Sequence, residues 1–316
     1  MLLKRNHHPI HYIIKKARAH NMDNISRTKA YQNFYFHHPE IRWALLASVV
    51  SRNAGWNMTD LCLPPYLNML TSKDLRYLFM TYERANWLIF SDAYPQLLVY
   101  ERSKQTNQPC FNWLRTLNVS EYIIQEWEHF WTYRDETRLM HALIVNEQNV
   151  IENPVIQQSF FKRRVFRETP YFMQRILRMN AVLLPTRSSA LYGITVKKFT
   201  NLDNRIALGK QLAKYLFESG IYTKVIDFAI HVEHTGSRRD YEIYHEFPFP
   251  YAPVLRSIYP VITHHDQIRI DWFNRKRKYS IKIGREKDAD IKDISRRYYQ
   301  KRHLLFAYNH FKQMLT

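Results

Sequence analysis

Glycine is scarce in this chain: 6 of 316 residues. So few positions free to take left-handed backbone disfavour hairpin-rich all-β folds and glycine-rich phosphate loops. Only two cysteines are present, Cys62 and Cys110, with no CxxC and no Cys-His cluster, so neither a disulfide framework nor a thiolate zinc site is supported. Long apolar runs are missing too. The longest, Trp43 to Val50, is far below a membrane span, and the N-terminal MLLKRNHHPIHYIIKK has no continuous apolar core of the kind a signal peptide needs. A soluble cytoplasmic protein is the expectation. Acid is under-represented, with 28 Asp and Glu against 47 Lys and Arg, for a net charge of +19.

What is present is apolar and aromatic: 22 Tyr, 18 Phe and 7 Trp, a content of large rings that disordered chains lack. The positive charge is uneven. Residues 1–29 carry 7 basic and 1 acidic side chains, 162–198 carry 9 and 1, and 269–316 carry 14 and 5. The remaining 202 residues hold 17 basic and 21 acidic groups, so the basicity belongs to three segments. Such an excess is tolerated best when an anionic partner neutralises it.

Apolar residues recur at helical spacing along most of the chain, which predicts a mainly α, multi-helical body with at most a minor β element. Pro39 and Gly55 bracket a buried helix over 39–54. Ser72 and Ser91 read as caps of two consecutive helices reaching Lys104, and Ser120 opens a long run through SEYIIQEWEHFWTYRDETRLMHALI. Thr169-Pro170 and Asn201 read as helix starts, Gly220 as a residue just past a helix end, and Gly209 as a close helix contact. The strand candidates are 191–199 and 268–283. Prolines cluster in 247–260, which gives an organisation of a basic arm over 1–30, a helical body over 31–246, and a Pro-rich crossing into a basic segment over 247–316, packed on the body and ending in a helix over 288–314.

The stretch SRTKAYQNFYFHHPEIRWALLASVVSRNAGWNMTDL, residues 26–61, and HTGSRRDYE, residues 234–242, resemble the YppC-like family of uncharacterised firmicute proteins. WALLASVVSRNAGWNMTDL is the specific part. The resemblance implies a bacterial cytoplasmic setting and brings no activity, cofactor or catalytic residue with it. A looser likeness of WALLASVVSRNAGW to an early helix of helix-hairpin-helix DNA glycosylases lacks the LPGxG-type hairpin and the downstream aspartate.

Within that block Arg52, Asn53, Asn57 and Asp60 have two readings. One is a helix-end network, with Asn57 or Thr59 capping the next helix and Arg52 paired to Asp60; the other is a polar pocket. Ser237, Arg238 and Arg239 follow Gly236, where a Ser-capped helix start with Asp240 as its acid competes with an anion site. Asp227, His231 and His234 fall at i, i+4 and i+7 and would converge as metal ligands on a helix, with His245 and Glu246 as further candidates. No GxxxxGK[ST], HExxH or GxSxG is present, so no hydrolytic chemistry is indicated and no cofactor is expected.

The basic segments interleave cations with rings: FFKRRVFRETPYFMQRILRMN at 160–180, NRKRK at 274–278, and Arg296, Arg297, Lys301 and Arg302 around Tyr298 and Tyr299. Cations neutralise phosphates while rings stack on unpaired bases. The leading functional expectation is therefore binding of an anionic polymer, nucleic acid first, with no assigned catalytic step. Alternatives are an enzyme with a polar cleft, or a peripheral component at an anionic membrane surface or on a protein partner.

Overall fold

Helix ends in this chain are set by side chains that satisfy the first free amides. Thr71 and Asp74 cap each other reciprocally at the start of one helix, while Asp23, Asp135 and Asn201 accept from Ser26, Arg138 and Asn204 amides at three others. A computed structural model describes residues 9–167, 181–196, 198–245, 250, 252–265, 271–273 and 292–314. In it the helices are α1 (Pro9–His20), α2 (Asn24–His37), α3 (Arg42–Asp60), α4 (Pro64–Met69), α5 (Ser72–Thr106), α6 (Trp113–Thr116), α7 (Glu121–Tyr133), α8 (Glu136–Val150) and α9 (Ser159–Phe161). After them come α10 (Leu202–Glu218), α11 (Tyr222–His231), α12 (Arg239–Glu242), α13 (Leu255–Ile258) and α14 (Ser295–Met314). Two π-helical turns, Glu152–Ile156 and Lys162–Arg167, flank α9.

The β content among the described residues is one antiparallel pair, β1 (Ala181–Leu184) and β2 (Tyr192–Thr195), in register from Ala181 opposite Thr195 to Leu184 opposite Tyr192. The chain is thus mainly α with a minor β element. β2 lies inside the 191–199 candidate. Most of the 268–283 candidate, the Thr169-Pro170 start, the 274–278 cluster, residues 1–8 and Glu246 lie outside the described residues.

Three helix boundaries differ from expectation. α3 begins at Arg42, because residues 38–41 form a turn closed by Ile41 N–H donating to His38 O at 3.0 Å, and it runs on through Gly55 to Asp60. α5 is one helix of 35 residues with Pro95 inside it, because Thr71 rather than Ser72 is the cap and the Ser91 hydroxyl bonds back to Trp87 O at 2.5 Å. The run from Ser120 is broken at Arg134, whose φ of 56° is left-handed, after which Asp135 caps α8. Gly220 sits at φ 78° beyond the α10 cap, and a Cβ on Gly209 would stand 2.7 Å from Ile144 Cγ2.

The main core gathers α2, α3, α5, α7, α8, α10 and α11, with Tyr31, Trp43, Phe90 and Tyr94 in ring contact, and Tyr100, Phe111, Trp127 and Phe130 in a second ring group. Trp43 and Trp56 are both buried. Leu255 and Leu305 share a neighbouring cluster with Ile25, Met58 and Tyr66, which seats α13 and α14 on the body. Asp271 accepts from Ser120 Oγ at 2.7 Å and Glu121 N–H at 3.2 Å at the start of α7. No described helix is long and apolar enough to cross a membrane.

Candidate functional site

Between Ser51 and Asp60, α3 is buried nearly all round, yet it carries Ser51, Arg52, Asn53, Thr59 and Asp60 inside. Buried polar groups need partners. Asn24 of α2 donates to Ser51 O at 2.8 Å and Ser51 Oγ at 3.1 Å, and its Oδ1 faces His234 Nε2 at 2.8 Å. A Cβ on Gly55 would lie 2.3 Å from that Oδ1 and 3.0 Å from His234 Nε2. Gly55 therefore clears space for the Asn24–His234 contact instead of ending the helix. On its other side His234 Nδ1 meets Asp240 Oδ2 at 3.2 Å, and that carboxylate also accepts from Trp56 Nε1 at 3.0 Å and Thr235 Oγ1 at 2.5 Å. Complete burial lowers the His234 pKa to about 4 despite Asp240, so the ring is neutral at pH 7. Burial pushes the Asp240 carboxyl up, but hydrogen bonds from His234, Thr235 and Trp56 outweigh it and hold it below its ordinary range.

One turn further along, Asp60 Oδ2 accepts from Arg238 Nε at 2.7 Å and lies 3.5 Å from Arg302 Nη1. Arg238 also donates to Asn57 Oδ1 at 2.8 Å and to the Tyr241 hydroxyl at 2.9 Å, which is 3.0 Å from the Tyr298 hydroxyl. Arg302 Nη2 is 3.4 Å from Glu242 Oε1. Among the described residues, Asp60 Oδ1 and both Glu242 oxygens are buried with no hydrogen-bond partner. Burial raises the Glu242 pKa against the pull of Arg302 and Arg238. Burial also works against the charge on Arg302, but Tyr298, Asp60 and Glu242 outweigh it and raise its pKa. Asp60, Arg238, Tyr298 and Arg302, with Tyr66, Lys301 and Phe306, line a crevice of about 30 Å³, which is water-sized.

Next to this cluster, α3 also borders a cavity of about 180 Å³. Val50 and Ala54 of α3, Leu78 and Ile89 of α5, Val155 and Phe199 supply apolar wall, and Asn53, Asn57, Thr81, Asn86 and Gln148 supply polar groups. Among the described residues no Asp, Glu, Lys, Arg or His lines it.

Residues 19–292 match the family described as protein of unknown function (DUF2515). The chain belongs to that family. It is 44% identical over 298 residues to the uncharacterized protein YppC of Bacillus subtilis (strain 168), covering 93% of each chain. The resemblance read from residues 26–61 and 234–242 therefore holds. No solved structure matches. The family match takes in both cavities apart from the α14 side of the crevice, since α14 begins at Ser295.

Of the residues singled out in the sequence, Asn57, Asp60, Arg238 and Arg302 come together, with Lys301 at the rim. Arg52 does not join them. It donates to Gln32 Oε1 at 3.1 Å and Val232 O at 3.0 Å and lies over the Phe228 ring, because an unbroken helix puts residues 52 and 60 about 12 Å apart along its axis. Burial lowers its pKa to about 10. Asn53 pins β1 to α3, donating to Leu183 O and accepting from Leu183 N–H, both at 2.8 Å. Thr59 caps nothing; its hydroxyl donates to Gly236 O at 2.7 Å.

Ser237 donates to Ala252 O at 2.5 Å and accepts from Arg239 N–H at 3.2 Å, so it does steady the start of α12, while Asp240 turns to Thr235, Trp56 and His234 instead of closing a capping box. Arg239, Arg296 and Arg297 are exposed. The proposed metal set does not assemble. α11 ends at His231, which pairs with Asp227 on the surface at 3.0 Å, and the chain then extends and carries His234 into the interior. Among the described residues no three His, Cys, Asp or Glu are placed to hold a metal ion. Asn24, Ser51, Glu242 and Tyr241 belong to the network without having been singled out for it; Asn24 follows a capping Asp23 and reads locally as part of a helix start.

Proposed function

We propose that the chain binds an anionic polymer, nucleic acid first, through cations on its surface, with no catalytic step assigned. The observation that carries this reading is the separation of charge between inside and outside. Five Lys and Arg and seven Asp and Glu are buried among the described residues, which leaves 42 basic and 21 acidic groups on the surface or outside those residues. Three of the four buried arginines are matched by a carboxylate, Arg27 by Glu83, Arg205 by Glu152, and Arg238 by Asp60, while Arg52 is held by neutral oxygens. The positive excess is thus an outward property, which supports a partner of opposite sign. α14 contributes to it with exposed Arg296 and Arg297, and no acidic residue follows Asp293. An enzyme is favoured less, because of Arg52, Asn57, Asp60, His231, His234, Arg238 and Arg239 only Asn57, Asp60 and Arg238 meet around one crevice.

A membrane surface is the second reading, favoured by Leu304, Phe311 and Met314, exposed at 69%, 60% and 71% on the same helix. The test replaces Arg296 and Arg297 by Glu and spares Arg302, which is part of the buried charge cluster. Wild-type affinity for single- or double-stranded oligonucleotides is expected to fall with salt at a log-log slope of about −0.7 to −0.9 per phosphate contacted, and the double variant to bind more weakly with a shallower slope. Its helical circular dichroism should be unchanged. Equal binding by both proteins refutes the assignment to α14, and binding to anionic vesicles without binding to oligonucleotides replaces nucleic acid by lipid.

A further inference from the structure

We infer that the cavity lined by Val50, Asn53, Ala54 and Asn57 of α3 binds a neutral molecule of about one ring, bearing both a hydrogen-bond acceptor and a donor. This stands apart from the reading of α14 as a cationic surface. The size follows from volume: about 180 Å³ here, against the roughly 150 Å³ of an engineered apolar void that takes up benzene. Neutrality follows from the wall. In a chain where 24% of residues are charged, none of the described lining side chains is Asp, Glu, Lys, Arg or His, so an ion entering among them would lose its water with no opposite charge from these groups to receive it.

The polar edge follows from the amides. Asn53 is spent on Val49 and Leu183, and Gln148 donates to Glu147 and accepts from Arg205. Arg238 is a donor only, so Asn57 must turn its oxygen toward it, which leaves the Asn57 Nδ2 amide hydrogens to donate. Asn86 Nδ2 donates to Tyr82 O at 2.8 Å, which leaves Asn86 Oδ1 to accept. Among the described residues neither Asn57 Nδ2 nor Asn86 Oδ1 has a partner. A pure hydrocarbon would leave both unmatched in an apolar wall. Arg238 is then a positioning residue for this site, since it sets which way the Asn57 amide faces.

Benzamide, benzoate and toluene test this on the full chain: one ring each, with respectively a neutral polar edge, a charged edge and none. Titration calorimetry should give saturable benzamide binding, benzoate at least tenfold weaker, and toluene in between. Ala85→Leu, which fills the cavity, should abolish benzamide binding, and Asn86→Leu should weaken benzamide about tenfold while leaving toluene unchanged. Circular dichroism and melting curves establish that both variants are folded. Benzoate binding as tightly as benzamide, a folded Ala85→Leu variant that binds benzamide like wild type, or no saturable binding of any probe would each overturn the inference.

Discussion

The two spaces that α3 borders are different solvents made from the same protein. In one, Asp60, Arg238 and Arg302 are packed with tyrosines around about 30 Å³; in the other, amides and aliphatic groups surround about 180 Å³ with no charge among the described lining residues. Asn57 lines the second and bonds into the first. The difference teaches that most of the buried arginines are matched by a carboxylate at short range, while the larger cavity is built from neutral groups. Groups that carry charge into the interior are held by several partners at once, so the tight side is where substitution should hurt most.

Arg238→Ala is the largest expected effect, because it leaves the buried Asp60 with Arg302 alone at 3.5 Å and removes donors from Asn57 and Tyr241; a loss of about 3–5 kcal/mol in urea-induced unfolding is expected. Replacing both members, Asp60→Leu with Arg238→Met, should cost less than Arg238→Ala alone. A larger cost for the pair would mean that the charges stabilise this side by more than they suffer from leaving water. Gly55→Ala comes next, at about 1–3 kcal/mol, since the added methyl meets the oxygen of Asn24 and the ring of His234. An unchanged melting temperature would show that α2 yields there without cost.

The smallest effects are in pH dependence. Below pH 6.5 an unfolded chain protonates a histidine that the folded chain keeps neutral down to about 4, so the His234 contribution to stability is lost as pH falls through that window. Glu147, which accepts from Trp43 Nε1 at 3.0 Å, has its pKa raised to about 7 by burial, against the pull of Gln148 and Trp43. The folded chain therefore keeps a proton that the unfolded chain releases from pH 4.5 upward, and the Glu147 contribution is lost as pH rises toward 7. The two slopes oppose each other between pH 4.5 and 6.5. Glu147→Gln should remove one of them, so that melting temperature rises with pH across that range more steeply than in wild type. Parallel curves would show that Glu147 titrates normally.

The helical class and the buried polar groups at the end of α3 follow from features that are local in the chain, namely period, caps and polar residues at the end of an apolar run, whereas the meeting of Asn57 and Asp60 with Arg238 joins residues about 180 positions apart. Gly55 shows where local reading stops. A glycine that ends a helix and one that admits a neighbouring backbone look alike until the neighbour is known, and here the neighbour, Asn24, meets a histidine 210 residues away. The same holds for Arg52, whose partner seemed to be Asp60 only while the helix was taken to break between them. The spacing of Asp227, His231 and His234 suits three ligands on a helix, but nothing local reveals that the helix stops after the second.

Sequence distance across the charged cluster also orders events in the life of the chain. Asp60 receives one guanidinium from a residue 178 positions later and the other from one 242 positions later. A nascent chain halted after α11 would display Trp56, Asn57 and Asp60 without their polar partners Asp240, Arg238 and Arg302, and contacts of such span close slowly. The C-terminal end of α3 is thus among the first parts made and among the last to have its polar groups paired.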